Sequence, residues 1–350
     1  MLANIAAASR KAKMKNQRVV FVQRPQGAVT PACFALRCAA VPDLAEGDVL
    51  VRNIYLSCDP YMRGRMAASA AQPFALDTVI PARVVGQIAQ SRNGDFAPGD
   101  FVWGFLGWEL FTLVPGGTGL RPVDPALGPL SNAISVRGMP GLTAHIGIVD
   151  IARPKPGETA FVSAASGAVG QVAGQLARLK GCRVVGSAGS AAKIDHIADT
   201  LRFDAAFNYK TVDSIGGALD EHCPDGIDIY FDNVGGETLN AVLERINPGA
   251  RIAVCGQISR YDAEVEWGAP PDAGALKRLG ATMTRFSVRD HMDRFDAFLA
   301  DMSAWLRAGD IVYFEDIWDD IEKTPDAFVD MMKGGNLGKR LVCVGEDPTL

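Results

Sequence analysis

The stretch Ser163–Gly170, "SAASGAVG", decides the fold. It ends "TAFVSAA", an apolar run of the kind that forms a strand buried on both faces. It leads into "AVGQVAGQLARLKG", where Val169, Val172, Ala173 and Leu176 recur at helical spacing and Gly181 closes the helix after Lys180. Strand, glycine-bearing turn and helix are the setting in which helix N-terminal amides cradle a dinucleotide's pyrophosphate, and the helix is expected to open at Gly167-Ala168. Gly167 and Gly170 stand where backbone must approach the phosphates and where helix must pack on strand. Ala165 replaces the first glycine of the usual pattern, which a methyl group permits if the turn there needs no positive φ.

Downstream, the runs "CRVVGSA", "AAFNYK", "IDIYFDNV", "ARIAVCGQIS" and "TMTRFSV" are separated by helical stretches. Strands alternating with helices predict an α/β fold, a doubly wound parallel sheet with helices on both faces. Upstream, "RVVFVQ", "DVLVRNIYLSC", "TVIPARVVGQIAQ" and "DFVWGFLGWELFTLV" are broken by Gly and Pro and predict a compact, mostly antiparallel β domain. A helix with Phe295, Phe298, Leu299, Met302, Trp305 and Leu306 on one face precedes "GGNLGKRLVCV", a strand expected to rejoin that first domain. The expected division is 1–135, 136–310 and a return at 311–350. Residues 1–13 hold three basic residues and no acid, but no cleavage signal follows, and they read as a disordered extension before Met14.

The composition removes several function classes. The 350 residues carry a net charge of -5 and no basic stripe interleaved with aromatics, so a nucleic acid is not an expected partner. No apolar run approaches the ~20 residues that span a bilayer. Seven cysteines, odd in number and never spaced CxxC, point to reduced thiols in the cytoplasm. The four histidines (His145, His196, His222 and His291) and the scattered cysteines form no metal-ligand pattern, so no metal is expected. His196 and His222 read as surface residues, and no histidine receives a catalytic role.

The position about 20 residues past the turn separates NADH from NADPH, because an acid there binds the ribose 2′-hydroxyl and repels a 2′-phosphate. Ser187 occupies it, Lys193 follows to supply charge, and Tyr209 can add a hydroxyl donor. NADPH is therefore the expected cofactor.

Seven segments carry a family resemblance: "LSCDPYMRGRM" (56–66), "GMPGLTAHIGI" (138–148), "AASGAVGQVAGQLARLKGCRVVGSAGS" (164–190), "FNYK" (207–210), "YFDNVGGE" (230–237), "CGQIS" followed by Tyr261, and "NLGKRLV" (336–342). Together they resemble the zinc-independent medium-chain dehydrogenase/reductases, specifically the prostaglandin reductase (leukotriene B4 12-hydroxydehydrogenase) and alkenal double-bond reductase group. The resemblance implies a GroES-like β-barrel domain beside a Rossmann domain, a homodimer, and NADPH-dependent reduction of small hydrophobic enones and enals. It implies that Lys193 and Tyr209 contact the 2′-phosphate, that Asn336 lies by the nicotinamide, and that Tyr261 lies beside its ribose and the substrate carbonyl. The candidate cofactor contacts are Ala165, Gly167, Ala168, Val169, Gly170, Ser187, Lys193, Tyr209, Asn233, Tyr261 and Asn336; Tyr261 and Tyr61 are the candidate catalytic residues. His145 stands where many members have Tyr, Asp262 where Asn is common, and the 264–272 loop, expected to shape substrate entry, differs from the usual sequence.

Without a Lewis acid, hydride delivery to the β-carbon of an enone is less demanding than delivery to a plain carbonyl, because charge spreads into an enolate that hydrogen bonds can stabilise. The Tyr261 hydroxyl, with the ribose 2′-hydroxyl, is the expected donor, and the α-proton is expected from water or a tyrosine-linked relay. Arg63 reads either as functional or as a local partner of Asp59. The competing readings are a zinc-free NADPH quinone oxidoreductase and an NADPH-binding protein without turnover.

Overall fold

The structure, a computed structural model, describes residues 15–262 and 273–350. The 1–13 extension and the 264–272 loop lie outside the described residues. In the N-terminal part, β1 (Lys15–Phe21) pairs antiparallel with β2 (Phe34–Ala40). β3 (Val49–Ser57) is followed by the short helix α1 (Tyr61–Met66) and by β4 (Thr78–Val79), which pairs with β1. β5 (Pro81–Ser91) pairs antiparallel with β3 and with β6 (Phe101–Gly107). β7 (Phe111–Val114) lies against β3, and β8 (Arg121–Pro122) against β6. The Val19 amide donates to the Trp108 carbonyl at 2.8 Å and ties the sheets together around buried Val19, Phe21, Val84 and Trp108. This is the GroES-like barrel.

Helix α2 (Met139–His145) leads into the second domain. Its sheet holds β9 (Thr159–Val162), β10 (Arg183–Ala188), β11 (Ala205–Asn208), β12 (Ile227–Asp232), β13 (Ile246–Val254) and β14 (Thr282–Arg285). All its pairings are parallel and the order is β11-β10-β9-β12-β13-β14, the doubly wound Rossmann order. The helices are α3 (Gly170–Leu179), α4 (Ala191–Asp195), α5 (Ile215–His222), α6 (Gly236–Leu243), α7 (Ala273–Arg278) and α8 (Phe295–Ala308). Every residue of β9 is buried, which is why the strand reads as a continuous apolar run without alternation.

After α8 the chain forms β15 (Glu315–Asp319), α9 (Thr324–Met332) and β16 (Lys339–Cys343), and β16 pairs antiparallel with β3. The barrel and the Rossmann domain also share a core, in which Ile54, Tyr55, Val85 and Trp103 pack with Phe295, Phe298 and Met302. A cleft between two domains joined this way keeps a fixed geometry, because opening it exposes buried apolar surface. Among the described residues no helix is long and apolar enough to cross a membrane.

Candidate active site

The order of the second sheet reverses between β9 and β12, where open α/β sheets bind ligands beyond the carboxyl ends of their strands. Most of the expected cofactor residues lie at those ends. The Ser163–Gly170 turn follows β9, Ser187 is the penultimate residue of β10, Tyr209 follows β11 and Asn233 follows β12. Asn233 spans the switch point: its amide Nδ2 donates to the Ser163 carbonyl at 2.8 Å and its backbone N–H to Ser163 Oγ at 3.0 Å.

The left-handed residue of the turn is Ala164, φ 49°, so Ala165 keeps its methyl without strain. That methyl is accommodated by Gly186 across the sheet, where a Cβ would lie 2.8 Å from the Ala165 Cβ. Helix α3 opens at Gly170, later than the sequence pattern placed it. Ser166–Val169 stay in the turn, held by a parallel bridge between Gly167 and Gly338 and by the Gly338 amide donating to the Ser166 carbonyl at 2.9 Å. The two glycines of the turn differ. A Cβ at Gly170 would collide with the Ala164 carbonyl oxygen, whereas one at Gly167 would meet only that oxygen, at 3.2 Å. Packing demands Gly170; Gly167 leaves the face of the turn open to backbone approach by a ligand.

A second cradle closes over the end of β10. A Cβ at Gly189 would lie 2.9 Å from the Tyr209 hydroxyl and 3.0 Å from Lys210 Cε. Lys193, in α4, is half-buried and donates from Nζ to the Gly334 carbonyl at 2.7 Å. Burial, then the like charge of Lys210, hold its ammonium below the usual lysine range. Two lysines and a phenol at the end of the second strand match a phosphate dianion. Sequence reasoning missed Lys210, whose only signal was its place beside Tyr209.

On the barrel side, Tyr61 opens α1, and burial pushes its phenol above the ordinary range. Tyr261 follows the 3-10 turn Ile258–Arg260, and its hydroxyl faces Gly256, where a Cβ would approach it to 3.5 Å. Burial pushes its phenol up to about 12, with the Gln257 backbone hydrogen bond acting the other way. Asn336 donates from Nδ2 to the Gly338 carbonyl at 2.7 Å.

The Arg63 and Asp59 partnership differs from the local reading. Arg63 is fully buried, and its Nε meets Asp262 Oδ1 at 3.0 Å while Nη2 donates to the Gly27 carbonyl at 2.6 Å. Asp59 is held instead by Lys339 Nζ at 2.7 Å and by Ser57 Oγ at 2.5 Å. The Arg63–Asp262 pair crosses from barrel to Rossmann domain and brings together the segments that carry Tyr61 and Tyr261. Nothing local in the sequence signals it.

His196 is half-buried rather than superficial, with its ring 5.7 Å from that of Phe314. His145 is buried against Phe298 and Trp305, and burial holds its imidazole below the usual range. Among the described residues no group of three His, Cys, Asp or Glu is placed to hold a metal ion.

The families whose patterns match this chain are described as "N-terminal domain of oxidoreductase", over residues 17–123, and "Zinc-binding dehydrogenase", over residues 168–298. The NADPH-dependent curcumin reductase of Escherichia coli is 39% identical over 96% of this chain and 99% of its own length. The chain belongs to the zinc-independent medium-chain dehydrogenase/reductase family. Within that family the 2-alkenal reductase (NADP(+)-dependent) of Nicotiana tabacum is 42% identical over 88% of this chain and 90% of its own. The crystal structure of CurA from Vibrio vulnificus in complex with NADPH superposes with a TM-score of 0.88 at 40% identity, covering 95% of this chain and all of that one.

Proposed function

We propose that the chain reduces the carbon–carbon double bond of α,β-unsaturated ketones and aldehydes with NADPH and without zinc. The observation that carries this reading is the Arg63–Asp262 pair, which ties the segment of the buried Tyr61 phenol, on the barrel, to the segment of the buried Tyr261 phenol, on the Rossmann domain. The relatives named for NADPH-dependent reduction of curcumin and of 2-alkenals support it.

In this reading the Ser163–Gly170 turn, with Ala165 to Gly170 along it, receives the pyrophosphate on its backbone amides. Lys193, Lys210 and Tyr209 hold the 2′-phosphate, Ser187 leaves room for it, and Asn233 and Asn336 border the nicotinamide end. When bound, NADPH supplies the hydride. A phenol that ionises only near 12 is a hydrogen-bond donor and not a base at neutral pH, so Tyr261 binds the substrate carbonyl oxygen and stabilises the enolate that forms as the β-carbon accepts hydride. Tyr61 closes the opposite wall of the cleft, and water delivers the α-proton.

NADPH oxidation against a panel of enals, enones and quinones, with a chelator present and NADH as control, tests the reading. Selective, chelator-insensitive turnover of enones is expected; preference for quinones overturns it. Tyr261→Phe is expected to lower kcat by about 100-fold with NADPH affinity preserved, and an unchanged kcat removes Tyr261 from the chemistry. We further propose a homodimer joined along β14, an edge strand of its sheet, which sedimentation at micromolar concentration checks. All seven cysteines are free, which supports a reducing cytoplasmic setting.

A further inference from the structure

We propose that Arg340 is a positioning residue for the nicotinamide subsite: it holds together two carboxylates, those of Asp316 and Asp330, on which the loop carrying Asn336 is seated. The inference deepens the proposed function and rests on its placement of Asn336 at the nicotinamide end.

Arg340 is the second residue of β16, and its side chain is 1% exposed. The backbone there is fixed to the barrel: the Cys58 N–H donates to the Arg340 carbonyl at 3.3 Å, and Lys339 Nζ meets Asp59 at 2.7 Å. Parallel pairing sets Asp316 of β15 opposite Arg340. Trp318, two residues on and so on the same face of that strand, has its ring centroid 4.6 Å from the guanidinium carbon. A single nitrogen joins the two acids. Arg340 Nη2 lies 2.9 Å from Asp316 Oδ2 and 2.6 Å from Oδ2 of Asp330, in α9.

The loop between α9 and β16, residues 333–338, closes onto those acids from both sides of Asn336. After Asn336, the Leu337 N–H donates at 3.2 Å to Asp316 Oδ2, the same oxygen that Arg340 holds. Before it, the Gly335 N–H donates to the Asp330 carbonyl at 2.9 Å, and a Cβ at Gly335 would overlap both carboxylate oxygens of Asp330. Glycine lets the loop lie directly on that side chain. The Gly338 N–H then pins the end of the loop to the Ser166 carbonyl in the pyrophosphate turn. Both acids are partly exposed, at 24% and 39%, so without the guanidinium they are free to hydrate apart as like charges, and the residues flanking Asn336 move with them.

This charge is poorly placed to serve stability. Arg340 Nε and Nη1 are buried and carry no hydrogen bond among the described residues. A buried guanidinium with two nitrogens unanswered bears a desolvation cost that contacts through the third do not fully offset. What the contacts fix is the geometry of the loop. The same two acids also act on Lys193, whose Nζ donates to the Gly334 carbonyl at 2.7 Å, so the competing role lies in the 2′-phosphate cradle.

The test separates the two ends of the cofactor. The full chain and its Asn336→Ala, Arg340→Met, Arg340→Lys and Asp316→Ala variants are titrated with NADPH and with 2′,5′-ADP, which carries the phosphate and no nicotinamide. They are then assayed on benzylideneacetone with NADPH deuterated on one or the other face of the nicotinamide C4. Asn336→Ala sets the reference signature: NADPH affinity about tenfold weaker, 2′,5′-ADP affinity unchanged, kcat lower, and deuterium delivered from both faces. Arg340→Met is expected to reproduce that signature, Arg340→Lys to restore part of it, and Asp316→Ala to show it more weakly. If Asn336→Ala shows the signature and Asp316→Ala does not, the positioning role is overturned, whether or not Arg340→Met folds. Equal weakening of NADPH and 2′,5′-ADP moves the acids to the phosphate cradle and also overturns it. An Asn336→Ala variant that behaves as the unsubstituted protein defeats the placement of Asn336 and the inference with it, and leaves the enone reading standing.

Discussion

The Ser163–Gly170 turn and the cleft wall between Tyr61 and Tyr261 are held by contacts of opposite range. Beyond its distant contacts to Asn233 and Gly338, the turn is closed by its own carbonyls and by the adjoining strand: Gly167 donates to the Ala164 carbonyl at 3.0 Å, and Ala165 to that of Ser187 at 3.0 Å. The wall depends on Arg63 reaching Asp262, 199 residues away, and on Lys339 reaching Asp59, 280 residues away. Backbone geometry makes the first region rigid before any ligand arrives, whereas buried ion pairs make the second. The turn should therefore fail through sterics, and the wall through unpaired charge.

The largest effect should come from the turn itself. Gly170→Val places side-chain carbon against the Ala164 carbonyl and the Ala165 Cα, and backbone cannot retreat as a flexible side chain can. A loss of about 3 kcal/mol or more, read as a fall in the chemical-denaturation midpoint, is expected. Gly167→Ala is the matched control. Its Cβ meets only one oxygen, so stability should change by less than ~1 kcal/mol while NADPH binding weakens. Equal destabilisation by the two substitutions would mean that Gly167 also serves packing, and the distinction between the two glycines would be lost.

The wall comes next. Asp262→Ala leaves Arg63 fully buried with only the Gly27 carbonyl, and breaking such a pair is costly. Because the Asp262 side chain is 50% exposed, the expected loss is reduced to about 2 kcal/mol. The informative readout is kinetic: kcat should fall as the Tyr261 segment loosens, with NADPH affinity retained. Asp262→Asn keeps an acceptor for Arg63 and should recover part of kcat. A variant that loses stability but keeps kcat would make the pair purely structural.

Lys193→Ala probes the phosphate cradle. It removes the positive charge that acts on Lys210, the neighbour of Tyr209, so the preference for NADPH over NADH should shrink by about tenfold, with kcat at saturating NADPH little changed. Binding titrations with both cofactors check this.

The contrast in range also explains what could be read from the chain alone. The doubly wound sheet was legible because each strand and helix announces itself within ten or so residues, as in the fully buried β9 and the Leu176 face of α3. Gly170, Lys193 and Tyr209 were legible because their spacing from the turn is fixed by one strand–helix–strand unit. Arg63 was visible, but its partner was not, since Asp59 lies four residues away and Asp262 far off in sequence. The late start of α3 was hidden because the Gly338 strand that extends the turn comes from the end of the chain.

The smallest effect concerns the shared core. Glu315 is half-buried at the start of β15, where Ser131 and Ser135 hydrogen-bond its carboxylate and Lys339 acts on it, yet burial outweighs them and raises its carboxyl above the ordinary 4.5. A raised carboxyl means that the folded chain holds this proton more tightly than the unfolded chain. Its contribution to stability is full below about 4.5 and is lost as pH rises through the folded value. Glu315→Gln cannot ionise, so relative to the unsubstituted protein it should gain stability as pH rises through that window and hold the difference at neutral pH. Denaturation midpoints measured from pH 4 to about 8 give the sign directly. A difference independent of pH would mean that Glu315 titrates alike in both states, and that its serine donors and Lys339 fully offset burial.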